Sequence, residues 1–434
     1  MRHADRPMTR RVELWRTVLA LFTVLAAVAA CGPSGPVSSR PDDSHPTRAF
    51  TPIFPGSEPL PPADLTDDGP GSLVEVKPVR GDRNFDEAGA TAARIVYRST
   101  SGLDGRPTQV SALMAIPAGP APKGGWPIIS LGHEATGMLS KCAPTLAPEF
   151  WGYSSGMAVY LRRGFAIVMS DYQGLGVDPG PNGQQHSILD APTLGNNMID
   201  AARATHRAAP STSTNWGALG AGEGGLAAWA AAERVGAYGA GMNMVGAVAV
   251  NPIADLAPLA APDRIAALAT ADQYRLQIRM LQSLKTMQPD FDLDAYRSAK
   301  LKDQWDLLVD CAPRDVAAAQ LALNQLTPSD FQARDAAAVA DLKRRLGIVA
   351  LPSPYAGPDD PPVLVAFGTA ATVIPAAGVL QATGAACARG QQIVMMRGVG
   401  DTDQINDQIM QNALAWLQAR FDGVRVADVC VGAT

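Results

Sequence analysis

Trp216-Gly217-Ala218-Leu219-Gly220-Ala221-Gly222-Glu223-Gly224-Gly225-Leu226-Ala227 is the stretch on which the fold turns. An apolar run ends in glycines and passes directly into small, helix-compatible residues. A junction of this kind needs small neighbours, because strand and helix must approach closely, and its central residue sits at positive φ. Gly222 takes that position without the roughly 1–3 kcal/mol of strain that a side chain would cost there. It also brings no hydroxyl or thiol. The histidines of the chain end at His206, so none follows this elbow.

Outward from the elbow, short apolar runs alternate with helical stretches. Ala93–Tyr97 and Val110–Ile116 read as paired strands joined by the turn-rich Ser101-Gly102-Leu103-Asp104-Gly105. Pro127–Leu131, Phe165–Ser170, Trp216–Leu219, Met244–Asn251, Val363–Phe367 and Ile393–Met396 suit buried parallel strands. Leu194, Met198, Ala202 and Thr205 share one helix face, as do Ile405, Ile409, Trp416 and the apolar stem of Arg420. The alternation predicts an α/β fold with a mostly parallel central sheet covered by helices on both faces. From Pro252 to about Pro352 it stops, and Ile265–Leu268, Tyr274–Leu284 and Val316–Leu326 read as helices. This predicts a helical cap inserted at about 253–352, either a moving lid or a fixed subdomain.

A length of 434 residues, 47% of them hydrophobic, is enough to bury a full core. A formal net charge of -5 argues against a nucleic-acid partner, which would call for a basic stripe. Residues 1–30 read as a lipoprotein signal peptide: Arg10 and Arg11 are basic, and Val18–Ala30 is apolar but short for a bilayer span. Val28-Ala29-Ala30-Cys31-Gly32 resembles the bacterial lipoprotein box, in which the cysteine is lipidated and becomes the new N-terminus. The alternative is an ordinary signal peptide ending near a cysteine. Arg10-Arg11 fits a twin-arginine signal poorly. Residues 31–72, rich in Pro and Ser, read as a tether that docks near its end, and the folded domain is expected over 73–430.

Cys142, Cys311, Cys387 and Cys430 remain, an even number in an exported chain, and they allow two disulfides in three connectivities. In one of these, Cys387–Cys430 ties the last strand to the C-terminal tail and Cys142–Cys311 ties a loop near the elbow to the cap. No CxxC pair or nearby histidine supports a metal site, and nothing implies a cofactor.

The chain is similar to the secretory lipase family of actinobacteria and fungi from roughly Leu60 to Cys430. The similarity rests on Tyr97-Arg98-Ser99-Thr100, on Gly132-His133-Glu134-Ala135-Thr136-Gly137 followed by Cys142-Ala143-Pro144, and on Ser170-Asp171-Tyr172-Gln173-Gly174-Leu175-Gly176. The elbow, Phe367-Gly368-Thr369-Ala370-Ala371 and Trp416-Leu417-Gln418-Ala419-Arg420-Phe421 complete it. Each motif is weak alone, but their order and spacing together are strong. The resemblance implies an α/β-hydrolase fold with a lid insertion and a triad in the chain order Ser, Asp or Glu, His.

Position by position, that triad is missing. The family's elbow serine matches Gly222, the aspartate of its Gly-Thr-x-Asp segment matches Ala371, and the histidine of its Gly-x-Gly-His segment matches Asp401. The losses are chemically coherent. Without an imidazole base a serine is a poor nucleophile at neutral pH. A triad aspartate without its histidine would be an unpaired, partly buried carboxylate, and alanine removes that penalty. Aspartate at 401 is a weak base and no substitute for imidazole.

Other candidates read as structural. Gly152-Tyr153-Ser154-Ser155-Gly156 satisfies G-x-S-x-G as letters but follows no strand and lies at a helix start. His133 falls in the loop resembling the family's oxyanion loop, with Glu134 shaping that loop, and His186 follows a Gly-Pro turn. Asp171 and Tyr172 close a strand and set loop geometry. The N–H of Glu223 sits where an oxyanion donor would. These readings point to a catalytically inactive, lipase-like lipoprotein on the extracytoplasmic face of a bacterial envelope. It is held to the membrane through Cys31, with an acyl-lipid or ester ligand in a pocket beneath the cap. Two other readings stand beside this one: an active triacylglycerol lipase or carboxylesterase of lipid catabolism using non-standard residues, and a purely structural lipoprotein with a collapsed pocket. No protein partner is assigned.

Overall fold

The computed structural model describes residues 67–180, 183, 185–311, 316–427 and 429–431. The signal peptide at 1–30, Cys31 and the tether up to residue 66 lie outside the described residues. The strands are β1 (Leu73–Val79), β2 (Thr91–Thr100), β3 (Pro107–Ile116), β4 (Trp126–Gly132), β5 (Ala166–Ser170), β6 (Thr212–Ala221), β7 (Asn243–Val250), β8 (Val363–Gly368) and β9 (Ile393–Gly398). They form one sheet in the order β1-β2-β3-β5-β4-β6-β7-β8-β9. The pairs from β1 through β3 to β5 are antiparallel, and those from β5 through β4 to β9 are parallel. The fold is therefore α/β with a mostly parallel sheet, as the alternation predicts.

The helices are α1 (Arg83–Glu87), α2 (Tyr153–Leu161), α3 (Ala191–Ala208), α4 (Glu223–Tyr238), α5 (Pro262–Ala266), α6 (Ala271–Met287), α7 (Ala299–Asp303), α8 (Trp305–Val309), α9 (Val316–Asn324), α10 (Ala336–Val349), α11 (Ala376–Ala388) and α12 (Asp407–Phe421). Local chemistry marks where several begin. The Asp190 carboxylate accepts from the N–H of Thr193 to start α3, and Thr270 with Gln273 forms a reciprocal capping box on α6. One face of the sheet packs against α3, α4 and α11, whose residues Leu194, Leu226 and Val379 share a single core cluster with Tyr274, Met280 and Leu281 of α6. The other face packs Phe85 of α1, Met157 and Leu161 of α2, and Leu417 of α12. The helices between β7 and β8 are thus continuous with the main core.

Three expectations need correction. Cys387 lies on α11, not on the last strand; its partner is Cys430, and Cys142 pairs with Cys311. The buried stripe of α12 is Ala413, Leu417 and Arg420, and Ile405 precedes the helix. The helices expected at Ile265–Leu268 and Val316–Leu326 are shorter at their C-terminal ends, closing at Ala266 and Asn324.

On α4, beyond the elbow, Glu233 is buried and accepts a hydrogen bond from the N–H of Ser353 at 2.8 Å. Burial, with Asp360 adding repulsion, pushes its carboxyl up to about 7 from 4.5. The folded chain then holds a proton that the unfolded chain releases between those two values. Stability contributed by this group is therefore full below pH 4.5 and is lost as pH rises toward 7, by up to about 3 kcal/mol. Glu233→Gln keeps an acceptor and is expected to flatten that slope. Urea denaturation at pH 5 and pH 8 reads it, and an unchanged slope refutes the assignment.

Candidate functional site

The site is built at the carboxyl edge of the sheet, where β6 hands over to α4. Gly222 lies between them with φ 58 and ψ -114, a backbone that disfavours any side chain. Its N–H donates to Val250 O at 2.9 Å and its carbonyl accepts from Ile253 N at 3.2 Å, which fastens the turn to the end of β7. The neighbouring glycines are required by contact rather than by φ. A β-carbon on Gly224 would lie 2.2 Å from Gly132 O, and one on Gly220 would lie 2.3 Å from Gly224 O. Strand β4, strand β6 and helix α4 meet backbone to backbone here.

A β-carbon on Gly222 itself would find Glu134 Cγ at 3.7 Å, Glu134 Oε1 at 3.9 Å and Ile374 Cδ1 at 4.0 Å. A carboxylate and a methyl group flank the position, and no imidazole stands within that distance. The two nearby histidines are held elsewhere. His133 is buried, its Nδ1 lies 2.7 Å from Glu134 O, and its ring centre lies 4.4 Å from that of Tyr172. His186 is buried with its Nδ1 3.1 Å from Gln173 O and its Nε2 2.9 Å from Oε1 of Glu223. The second contact lacks hydrogen-bond alignment, and Glu223 Oε2 meets no donor among the described residues. The side chain of Glu223 thus turns into the core rather than toward the elbow's mouth.

The other two positions that sequence similarity matches to the family's triad lie on adjoining loops. Ala371 follows β8, and Asp401 follows β9, where Asp401 O accepts from Ala370 N at 2.8 Å. The Asp401 carboxylate is engaged by Asn406, accepting from its backbone N–H at 2.9 Å and from Nδ2 at 2.8 Å. The loops are clasped instead by Asp403, which the sequence reading missed. Its carboxylate accepts from the N–H groups of Thr372, Val373 and Ile374, each at 3.1 Å. Ile374 is placed over Gly222 by that clasp.

The remaining candidates are distributed around this frame. Asp171 is buried and accepts from Ser111 Oγ at 2.5 Å and Thr145 N at 3.1 Å; burial raises its pKa, and these bonds oppose the rise. Tyr172, at φ 70, donates its hydroxyl to His133 O at 3.2 Å. Ser154, the central serine of the G-x-S-x-G letters, is buried on α2 and accepts from Asn84 Nδ2 at 2.9 Å. Burial and the neighbouring Glu134 push Tyr153 up to about 12, so it remains a neutral phenol, and its oxygen accepts from Glu134 N at 3.2 Å.

A cavity of about 420 Å³ opens at Gly220 and Ala221 and is lined by Leu131, Glu134, Tyr153, Tyr160, Val250 and Met410, among others. This cavity lies between α2 and α12, on the side of the sheet away from the cap. A larger cavity of about 570 Å³ lies beside the β2–β3 hairpin, lined by polar residues such as Arg98 and Asp104, and does not reach the elbow.

Solved structures similar to this frame include a lipase, an esterase and a putative hydrolase. Candida antarctica lipase A in its closed state superposes with a TM-score of 0.67 at 16% identity, covering 85% of this chain and 86% of that one. A putative hydrolase of Legionella pneumophila gives 0.62 at 17% identity, covering 82% and 100%. The rice cell wall degrading esterase of Xanthomonas oryzae gives 0.60 at 15% identity, covering 82% and 99%. At such identities the likeness shows the α/β-hydrolase fold alone. A curated protein named probable inactive lipase, from Mycobacterium tuberculosis (strain CDC 1551 / Oshkosh), is 28% identical over 230 residues, 50% of each chain. The chain therefore matches about half the length of that relative. The profile of the family described as secretory lipase matches residues 154–428, from α2 through the elbow and the cap to the far side of α12. By that match, the chain belongs to the secretory lipase family.

Proposed function

We propose that this secretory lipase family member does not hydrolyse esters and instead binds acyl lipid at the bacterial envelope, anchored through a lipidated Cys31. The observation that carries the first part is the surroundings of Gly222: a strained elbow kept intact, no hydroxyl on it, and Glu134 and Ile374 where a nucleophile would need a base. The relative named probable inactive lipase supports the same reading. Acyl binding is supported by the cavity that opens at the elbow. A family described as secretory and two disulfides suit an extracytoplasmic location. Among the described residues no helix is long and apolar enough to cross a membrane, so membrane attachment falls to the proposed lipid on Cys31.

The test has two readouts on the purified mature protein. Hydrolysis of short p-nitrophenyl esters is expected to match buffer, and native mass spectrometry is expected to show copurified lipid. Turnover well above buffer favours an active enzyme with non-standard residues. An inert protein free of lipid that also takes up no added lipid favours a purely structural lipoprotein.

A further inference from the structure

A second cavity continues the one at the elbow. It has a volume of about 330 Å³, lies on the same face of the sheet, and is lined by Ile129, Phe165, Leu414 and Leu417 among others. Tyr160 of α2 lines both cavities. Strand β4 gives Leu131 to the first and Ile129 to the second; two residues apart, these side chains point to one face. Helix α12 likewise gives Met410 to the first and Leu414, one turn on, to the second. The two spaces therefore make one trough between α2 and α12, running from Gly220 to Phe165.

The walls of the trough are apolar, but its ends differ in charge. At the elbow end stands the exposed Glu134. At the far end stands Arg163, exposed and just past α2, with Gln411 of α12 lining the same cavity. Among the described residues the side chains of Arg163 and Gln411 make no hydrogen bond or ion pair. Tyr160 joins them with a hydroxyl that makes no hydrogen bond among the described residues. Burial pushes Tyr160 up to about 12, so it stays a phenol able to donate. A cation and two neutral donors thus meet at one end of an apolar trough, and a carboxylate stands at the other. An anionic head gains at the first end and is repelled at the second.

We infer that this trough seats a single-chain anionic lipid, with its head at Arg163 and its tail running toward the elbow. That direction is the reverse of an ester substrate, whose reacting carbonyl would lie at Gly222. The inference rests on the acyl-lipid reading above and adds the charge of the head and the direction of the chain.

Displacement of a fluorescent fatty acid from the mature protein tests it, with oleate set against methyl oleate and oleoyl lysophosphatidate against monoolein. Wild type should bind at least one charged lipid about fivefold tighter than its neutral counterpart, the size of one solvent-exposed charge pair. A carboxylate preference and a phosphate preference both support the inference, and they tell the source of the head apart. Arg163→Gln should erase the preference by weakening the charged lipid alone. Met410→Trp, which fills the trough, should weaken charged and neutral lipids alike. Glu134→Gln should change the preference less than Arg163→Gln does. Equal binding of charged and neutral lipids by wild type, an unchanged preference in Arg163→Gln, or a larger change in Glu134→Gln overturns the inference and leaves acyl binding standing. Failure of wild type to bind any of the four lipids overturns the acyl-lipid reading as well.

Discussion

Gly222→Ser alone hydrolyses p-nitrophenyl esters no faster than wild type, about a millionfold below what a complete triad supports. The hydroxyl would project from a β-carbon whose nearest neighbours are Glu134 and Ile374, neither of which is an imidazole. A carboxylate is a weak base toward an alcohol, so Glu134 does not supply the missing step. The variant is also expected to lose on the order of 1–3 kcal/mol of stability, because serine must adopt the positive φ that glycine accepts freely. Any measurable gain requires Ala371→Asp and Asp401→His in addition. Those two positions lie on touching loops, as the bond from Ala370 N to Asp401 O shows, so the pair has a route to form. Asp401→His would break both bonds to Asn406, however, and the triple variant should be less stable than wild type. Initial rates with p-nitrophenyl butyrate check all three chains. Substantial turnover in the single variant would reveal a base absent from this account.

Gly224→Ala should cost about 3 kcal/mol or more, a large loss for a single methyl group. The added carbon would lie 2.2 Å from Gly132 O and 2.3 Å from Gly132 C, and both are backbone atoms of a central strand. Nothing there is the free end of a side chain, so relief requires β4 and α4 to separate. Gly236→Ala, on the same helix with nothing within 4 Å of the new carbon, is the matched control. It should stabilise by up to about 1 kcal/mol through helix propensity. Urea denaturation separates the two, with the midpoint moving and the slope unchanged. A neutral Gly224→Ala would mean that the close packing of the elbow is not what retains its glycines.

Most of the fold was legible because its central strands are continuous apolar runs, and burial on both faces demands that pattern. Strand β1 was not legible. Leu73-Val74-Glu75-Val76-Lys77-Pro78-Val79 carries charges and a proline, which suit an edge strand and hide its period. The elbow was legible for steric reasons: backbone-to-backbone contact needs glycine at 220 and 224, and positive φ favours it at 222. The matches of Gly222, Ala371 and Asp401 to the family's triad rest on motif order alone.

What lay beyond the sequence is long-range. Asp403 clasps a loop from a different strand, and Glu223 finds His186 across the core. None of these pairings leaves a local pattern. Much of the apolar surface of the cap goes into packing Tyr274, Met280 and Leu281 against the main core. The cavity at the elbow opens where α2 and α12 diverge at the sheet edge.

The central claim is that this chain keeps a lipase body and elbow without a competent nucleophile. Reaction of the wild-type protein with a fluorophosphonate probe, read by intact mass, addresses it directly. The account predicts an unmodified mass after prolonged exposure. Stoichiometric addition of one probe to a single serine would contradict it.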